Sequence, residues 1–219
     1  MIVTYDFKNH IPVIFTKYEA NRNPKMNVFI RDAAQASSAA PIYFDPKSIE
    51  GISDALIDGG VIANSPAFYS YIHAKYTLGK PLVRLDSIGT GEKPPKPINS
   101  EEVNQVTWIG ELGALITSVE QYTHDYLSKQ ILDKDYYRFQ KIMDKPLELD
   151  SYSKDNIDQL IQYGIQITKD NERQLAELIL AIVDQWAVKN KKPRCIKQDN
   201  PNTNGTLGDT PALSLIERL

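Results

Sequence analysis

The stretch Ala55-Leu56-Ile57-Asp58-Gly59-Gly60-Val61-Ile62-Ala63-Asn64-Ser65-Pro66 decides how the fold is interpreted. A short apolar run delivers one carboxylate, that of Asp58, to a pair of glycines, as happens where a strand ends. Glycines at such a point allow positive φ and let another backbone come close. Ser65 followed by Pro66 is typical of an N-cap and a first helical residue, so a helix should begin there. The alternative is a plain turn, because Asp-Gly is among the commonest turn signals.

Composition and charge place the chain among ordinary globular proteins. It has 219 residues, of which 42% are apolar and 24% charged, with a net charge of -3. No dense run of Lys and Arg is present, so we expect no nucleic-acid partner. No apolar run reaches the ~18 residues that cross a bilayer, and the first residues are too polar for a signal peptide. We therefore expect a soluble protein without transmembrane segments, cytoplasmic or secreted without a recognisable signal.

The residues before Asp58 predict strands and one small-residue helix. β-branched and aromatic runs predict strands over 2–7 and 12–17, joined by a connection of hairpin length. Residues 28–40 predict a helix whose second half is mostly Ala and Ser, and this helix should pack closely against another element. A brief extended segment over 42–44 then precedes the strand that ends at Asp58.

The residues after Asp58 are predicted to be increasingly helical. A helix should run from Ser65 to about Leu78, and a strand over 82–88 should break at Gly89-Thr90-Gly91. Prolines make 92–100 a loop. Apolar periodicity and breakers then predict helices over about 103–132, over 154–163 with Gly164 at the end, and over 171–188, with a strand over 136–139.

These elements suggest three parts of the chain. Residues 1–100 form an α/β core that carries Asp58, and residues 101–188 form a helical part of the same domain. Residues 189–219 are polar and rich in Asn, Lys, Pro and Gly, which predicts a mobile tail.

Metal, disulfide and nucleotide sites are not indicated. Cys195 is the only cysteine, so neither an intrachain disulfide nor a cysteine-rich metal site can form. The three histidines are isolated in sequence, and we expect each to be an ordinary surface or packing residue: His10, His73 and His124. Gly89-Thr90-Gly91 lacks the third glycine and the helix of a dinucleotide fingerprint. We expect no metal and no cofactor.

A nucleophilic serine is also not indicated. The strained elbow that exposes a catalytic serine has a glycine two residues before and two residues after it. No serine of this chain meets that requirement: Ser53 has Gly51 before it but Ala55 after it. A glycine-rich oxyanion loop near the N-terminus is absent too. By spacing alone, the chain has an acid without a nucleophile.

Several segments taken together nevertheless resemble the patatin-like phospholipase family. They occur in the family's order and at similar spacing over roughly residues 1–188: Val3–Asp6 with Pro12–Thr16, Asp32–Phe44, Asp58–Pro66, Ser87–Gly91, and later Tyr137–Gln140 and Leu149-Asp150. The resemblance implies a three-layer α/β/α acyl hydrolase fold. It also implies hydrolysis of glycerolipid or phospholipid acyl esters at a membrane surface by a Ser-Asp dyad.

The resemblance assigns the acid of the dyad to Asp58. Asp58 would act as general base without an intervening histidine, and Gly59, Gly60 and Asn64 would complete its motif. Ser65 departs from the second Asn that many members carry after the acid motif.

The family's serine elbow and oxyanion loop lie upstream of the strand with which this chain begins. The resemblance therefore implies a fold that is incomplete at its N-terminus, namely a portion of a lipid acyl hydrolase that is inactive alone. The alternative is a non-catalytic binding protein, or one half of a split patatin pair that completes its sheet with a separate N-terminal partner chain.

Overall fold

The computed structural model describes residues 1–81, 84–94, 104–145, 147 and 150–190, which form a mixed α/β structure. The predicted α/β class is confirmed. Two compact units divide the chain: Met1–Ser87 with Pro95–Arg138, and Ile88–Pro94 with Phe139–Leu219. The part boundaries predicted from the sequence stay predictions, and the predicted tail beyond residue 190 lies outside the described residues.

The first unit contains a four-stranded antiparallel sheet. Its strands are β1 (Ile2–Asp6), β2 (Ile11–Phe15), β3 (Lys47–Ile49) and β4 (Ser53–Asp58), in the order β2-β1-β4-β3. The hairpin and the strand that ends in the Asp-Gly-Gly motif are confirmed. In the register of β1 and β4, Asp58 lies opposite Thr4. The buried Thr4 hydroxyl donates a hydrogen bond to the Ile57 carbonyl at 2.6 Å, which secures the end of β4.

A short helix of small residues packs on this sheet. After α1 (Lys17–Arg22) and a single 3-10 turn (Pro24–Met26), α2 (Ile30–Ser37) contacts β1, β3 and β4. Ala33 and Ala36 of α2 are buried in the core. Because alanine adds little bulk, α2 can lie close to the sheet, as its composition predicts. The buried cluster around them is completed by Phe15, Ile49 and Leu56.

Residues 42–44 form a turn, so the predicted extended segment is wrong. The backbone N–H groups of Tyr43 and Phe44 both donate to the Ala40 carbonyl, at 3.2 and 3.0 Å. Ile42 adopts φ 78° with its side chain exposed. Aromatic and β-branched residues favour strands where neighbours pack against them. Here the backbone bonds to Ala40 close a turn instead.

The segment after Asp58 is helical, but in pieces. A one-turn helix, α3 (Gly60–Ala63), follows the strand at once, and α4 (Ala67–Ile72) continues into a π-helical turn over His73–Thr77. The predicted cap at Ser65 is wrong, because the N-cap position of α4 is Pro66 and no side chain caps it. Ser65 is fully buried instead.

A single long helix follows and packs against these pieces. α5 (Gln105–Leu132) contacts α3 and α4 within the first unit. β5 (Leu85–Ile88) and β6 (Tyr136–Phe139) form a second, two-stranded sheet. The helices predicted over about 103–132 form one continuous helix, and the strand over 136–139 is confirmed. Leu82 and Val83 of the predicted strand, residues 95–100 of the predicted loop and the first residues of the predicted helix before residue 104 lie outside the described residues.

The second unit contains two further helices, α6 (Lys154–Asp170) and α7 (Glu172–Lys189). Gly164 was predicted to end the first of them but lies inside α6, so this prediction is wrong. A glycine in a helix interior costs only about 0.5–1 kcal/mol relative to alanine. The apolar residues of α6 continue past it with Ile165, and the helix ends where the Asn171 N–H donates to Thr168.

Within the described ranges, no helix is both long enough and apolar enough to cross a membrane.

Candidate functional site

Asp58 lies at the C-terminal end of β4, and its carboxylate is held by the turn that follows. Its Oδ1 accepts a hydrogen bond from the Gly60 N–H at 2.6 Å. Its own N–H donates to the Ala39 carbonyl at 2.9 Å, which ties this strand end to the segment after α2. The side chain is half-buried. The carboxylate is therefore fixed in orientation and still reachable from solvent.

Gly59 is required by a close backbone approach. A Cβ atom at this position would lie 2.1 Å from the Val3 carbonyl oxygen, far inside van der Waals contact. The Gly59 N–H donates to the Ser37 carbonyl at 3.2 Å. Its φ is -67°, so the positive φ that glycine would allow is not used here. The predicted close approach is confirmed, and the motif is more than a plain turn.

Gly60 lies between the two polar side chains of the motif. A Cβ on Gly60 would lie 3.0 Å from Asp58 Oδ1 and 3.4 Å from Asn64 Oδ1. A side chain here would press on the carboxylate that its own N–H binds. Asn64 is exposed at the other end of α3. The four predicted motif residues, Asp58, Gly59, Gly60 and Asn64, thus form one compact feature.

The carboxylate of Glu120 in α5 accepts hydrogen bonds from the backbone at the C-terminal end of α3. Glu120 Oε2 accepts from the Asn64 N–H at 2.7 Å, and the Ser65 N–H is a further donor to the same group. The neighbouring Gln121 Oε1 accepts from Asn64 Nδ2 at 3.2 Å. Burial raises the pKa of Glu120 above its ordinary value, and the charge of His124 and the two N–H groups oppose that rise only in part.

His124 completes the contact one helical turn further along α5. Its Nδ1 is 2.7 Å from the Ser65 carbonyl oxygen, and since a carbonyl can only accept, Nδ1 carries the hydrogen. Its Nε2 is 3.2 Å from Glu120 Oε1. The ring also packs against Phe68 and Tyr69. The prediction of a packing histidine is confirmed, but it missed the two polar contacts.

The other two histidines agree with the prediction. His10 packs edge-on against Phe7, and His73 packs edge-on against Tyr18.

Ser65, His124 and Glu120 are the residue types of a hydrolytic triad, but they are not arranged as one. The imidazole nitrogen that faces Ser65 binds the carbonyl oxygen of that residue, whereas a triad needs it at the hydroxyl. The Ser65 hydroxyl is buried and has no hydrogen-bond partner among the described residues. Ser65 is therefore not arranged as the nucleophile of a triad.

The Gly89-Thr90-Gly91 loop is filled by a side chain. Gln140 Oε1 accepts from the Gly91 N–H at 2.9 Å and would lie 2.2 Å from a Cβ on Gly89. An N–H that a phosphate would need is thus already bonded. In the described part of the chain, no group of three or more His, Cys, Asp or Glu side chains could hold a metal ion.

The sequence did not predict the contacts of Glu120 and His124, because their partners Asn64 and Ser65 are far away in the chain. Glu120 is 56 residues from the N–H that it binds, and no spacing rule connects the two segments. The one local signal is their separation by four residues in α5, which places both side chains on the same helix face.

Fold and site together define a mixed α/β protein with an aspartate held at a strand end. A family model described as Patatin-like phospholipase matches residues 2–70, which contain β1 to β4 and the Asp58 motif. The chain is 25% identical over 202 residues to Patatin group D-2 and to Patatin-08, and 26% identical over 204 residues to Patatin-15, all of Solanum tuberosum. Each match covers 77% of this chain and 52% of the relative, so the chain spans about half the length of these curated relatives.

Proposed function

We propose that this chain carries the acid of a lipid acyl hydrolase, with Asp58 as the general base of a Ser-Asp dyad. The observation that supports this most is the geometry of Asp58, whose carboxylate is oriented by the Gly60 N–H at a strand end. The matched segment 2–70 includes this motif. A general base has to be held within hydrogen-bond reach of the proton that it removes, and an oriented carboxylate is what such a role needs.

The proposed reaction proceeds in two steps. The oxygen of a serine attacks the ester carbonyl while Asp58 takes the serine proton, and the alcohol part of the lipid leaves with that proton as the acyl-enzyme forms. Water then attacks the acyl-enzyme carbonyl while Asp58 takes a proton from the water, and Asp58 returns that proton to the serine oxygen as the bond to the acyl group breaks and the fatty acid leaves. The 219 residues contain no Gly-x-Ser-x-Gly elbow, so the proposal takes the nucleophile from a segment outside them. The substrate class, glycerolipids or phospholipids at a membrane surface, rests on the similarity to patatin-like phospholipases.

The first test uses this chain alone with a chromogenic acyl ester and a fluorophosphonate probe for activated serines. We expect neither turnover nor labelling above a heat-denatured sample. Turnover that disappears in Asp58→Asn but survives replacement of every serine would contradict the dyad mechanism.

The second test adds a segment that carries a Gly-x-Ser-x-Gly elbow and binds this chain. Asp58→Asn should then lower kcat/KM by about 10²–10⁴-fold, the range of general base catalysis. The matched control is Asp54→Asn. Asp54 lies in β4 four residues before Asp58, is exposed and forms an ion pair with Lys8. We expect this variant to keep full activity. A stable complex without turnover would favour the non-catalytic alternative, and full activity in Asp58→Asn would exclude Asp58 as the base.

A further inference from the structure

α3 connects Asp58 to Asn64 and is too short to hold its own shape. It has four residues, and forming a first helical turn is unfavourable without support from outside. Its N-terminal end is fixed by the Gly60 N–H on Asp58, and by backbone bonds from Gly59 to the last residue of α2 and from Asp58 to Ala39 just after it. Its C-terminal end needs an equivalent restraint.

α5 supplies that restraint through two buried polar side chains. Glu120 accepts a hydrogen bond from the Asn64 N–H, and His124 donates one to the Ser65 carbonyl. Two neighbouring backbone positions are therefore held, one through its donor and one through its acceptor. The 3.2 Å contact between Glu120 Oε1 and His124 Nε2 limits the rotation of both side chains. The bond from His124 to the Ser65 carbonyl is buried, which strengthens it relative to an exposed one, whereas the bond from the Asn64 N–H to Glu120 is exposed.

We propose that Glu120 and His124 are positioning residues for Asp58. They hold the C-terminal end of α3, and through this single turn they keep the Gly60 N–H aligned on Asp58 Oδ1. The inference rests on the proposed function for its catalytic meaning. Both residues lie outside the matched segment 2–70, so the family match does not assign them this role.

The pair can be tested by conservative replacement. In Glu120→Gln, the amide oxygen can still accept from the Asn64 N–H, and the amide nitrogen can donate to His124 Nε2. Glu120→Ala removes both bonds. His124→Phe keeps a ring against Phe68 and Tyr69 but loses the bond to the Ser65 carbonyl. Gln130→Ala, at an exposed position of the same helix, is the matched control.

The experiment measures the Gly60 amide in the full chain by NMR. Its hydrogen-exchange rate reports the bond to the Asp58 carboxylate. The Phe7 amide, which donates to the Ala55 carbonyl in the same sheet, is the internal reference. We expect Glu120→Ala to raise Gly60 exchange about tenfold relative to Phe7, because local opening exposes single bonds. Glu120→Gln and Gln130→Ala should stay within about twofold of the wild type.

Two outcomes would overturn the proposal. One is an unchanged Gly60 exchange rate in both Glu120→Ala and His124→Phe. The other is an equal rise at Gly60 and Phe7, which would assign the pair to general stability. If Glu120→Ala does not fold, His124→Phe against Gln130→Ala decides the question. No serine or lipid is needed, so a failure here is separate from a failure of the proposed hydrolase activity.

Discussion

At the scale of single residues, close contacts account for the two glycines of the Asp-Gly-Gly motif, because a side chain at either position would crowd neighbouring atoms. Gly59 is the sharpest case, because its missing Cβ makes room for the Val3 carbonyl of β1. The sequence predicted this approach, since paired glycines after a strand are typical of it. The sequence could not predict that hydrogen bonds would hold both ends of α3, because their partners lie in segments far away in the chain.

Gly59→Ala should therefore destabilise the first unit. The added methyl group would meet backbone, which cannot rotate away, so we expect a loss of about 1–3 kcal/mol in the free energy of unfolding. Urea denaturation followed by circular dichroism measures this. The control is Gly113→Ala in α5, where nothing lies within 4 Å of the added atom. A free energy of unfolding of Gly59→Ala equal to that of the wild type would mean that the backbone at Val3 yields without cost.

At the scale of elements, most helices and strands followed their sequence patterns; residues 42–44 form a turn instead of an extended segment, and the other errors arose at helix ends. Gly164 did not stop α6, because the apolar periodicity on both sides outweighs one glycine. Ser65 did not cap α4, because the N-cap position is Pro66 and the Ser65 side chain is buried without bonding an N–H group of that helix. Helix ends depend on partners from other elements, and the local sequence does not contain those partners.

The β1–β2 hairpin has its own pH-sensitive residue, Asp6. It is 2% exposed and accepts from the Lys8 and Asn9 N–H groups and from Asn9 Nδ2, at 3.0, 3.1 and 2.7 Å. Burial by itself would raise the pKa of Asp6, but these hydrogen bonds, with another to Ser53, outweigh it, and the pKa lies below its ordinary value. The resulting stability is present above the ~3.9 of an unfolded aspartate and is lost as the pH falls through the lower folded pKa.

We accordingly expect Asp6→Asn to flatten the acid limb of the stability curve. Unfolding free energy, measured by urea denaturation between pH 7 and pH 3, should fall less steeply below about pH 4 in the variant than in the wild type. Asp54→Asn, which alters an exposed ion pair in the same sheet, serves as the comparison. Identical acid limbs for Asp6→Asn and the wild type would show that Asp6 contributes no pH dependence.

At the scale of the whole molecule, the α/β class and the acid motif could be predicted, and the pair on α5 could not. A motif such as Asp-Gly-Gly is read from adjacent residues, whereas the contact of Glu120 with Asn64 exists only after the chain has folded. The three-layer arrangement and the incomplete N-terminus stay predictions. The similarity to patatins covers half the length of those relatives, so the complete hydrolase is a proposal and not a finding.

The strand pairing of the sheet implies an order of folding. β1 and β2 are joined by a four-residue connection and can pair locally, whereas the bond from Thr4 to Ile57 closes a separation of 53 residues, and the bond from Glu120 to Asn64 one of 56. Distant pairings form later, because the entropy of loop closure must be overcome first. In pulse-labelled hydrogen exchange during refolding, hairpin amides should be protected before the Gly60 amide. Simultaneous protection would contradict this order. If the hairpin does form first, the acid of the proposed dyad, Asp58, reaches its final position only after the β1–β2 hairpin has paired.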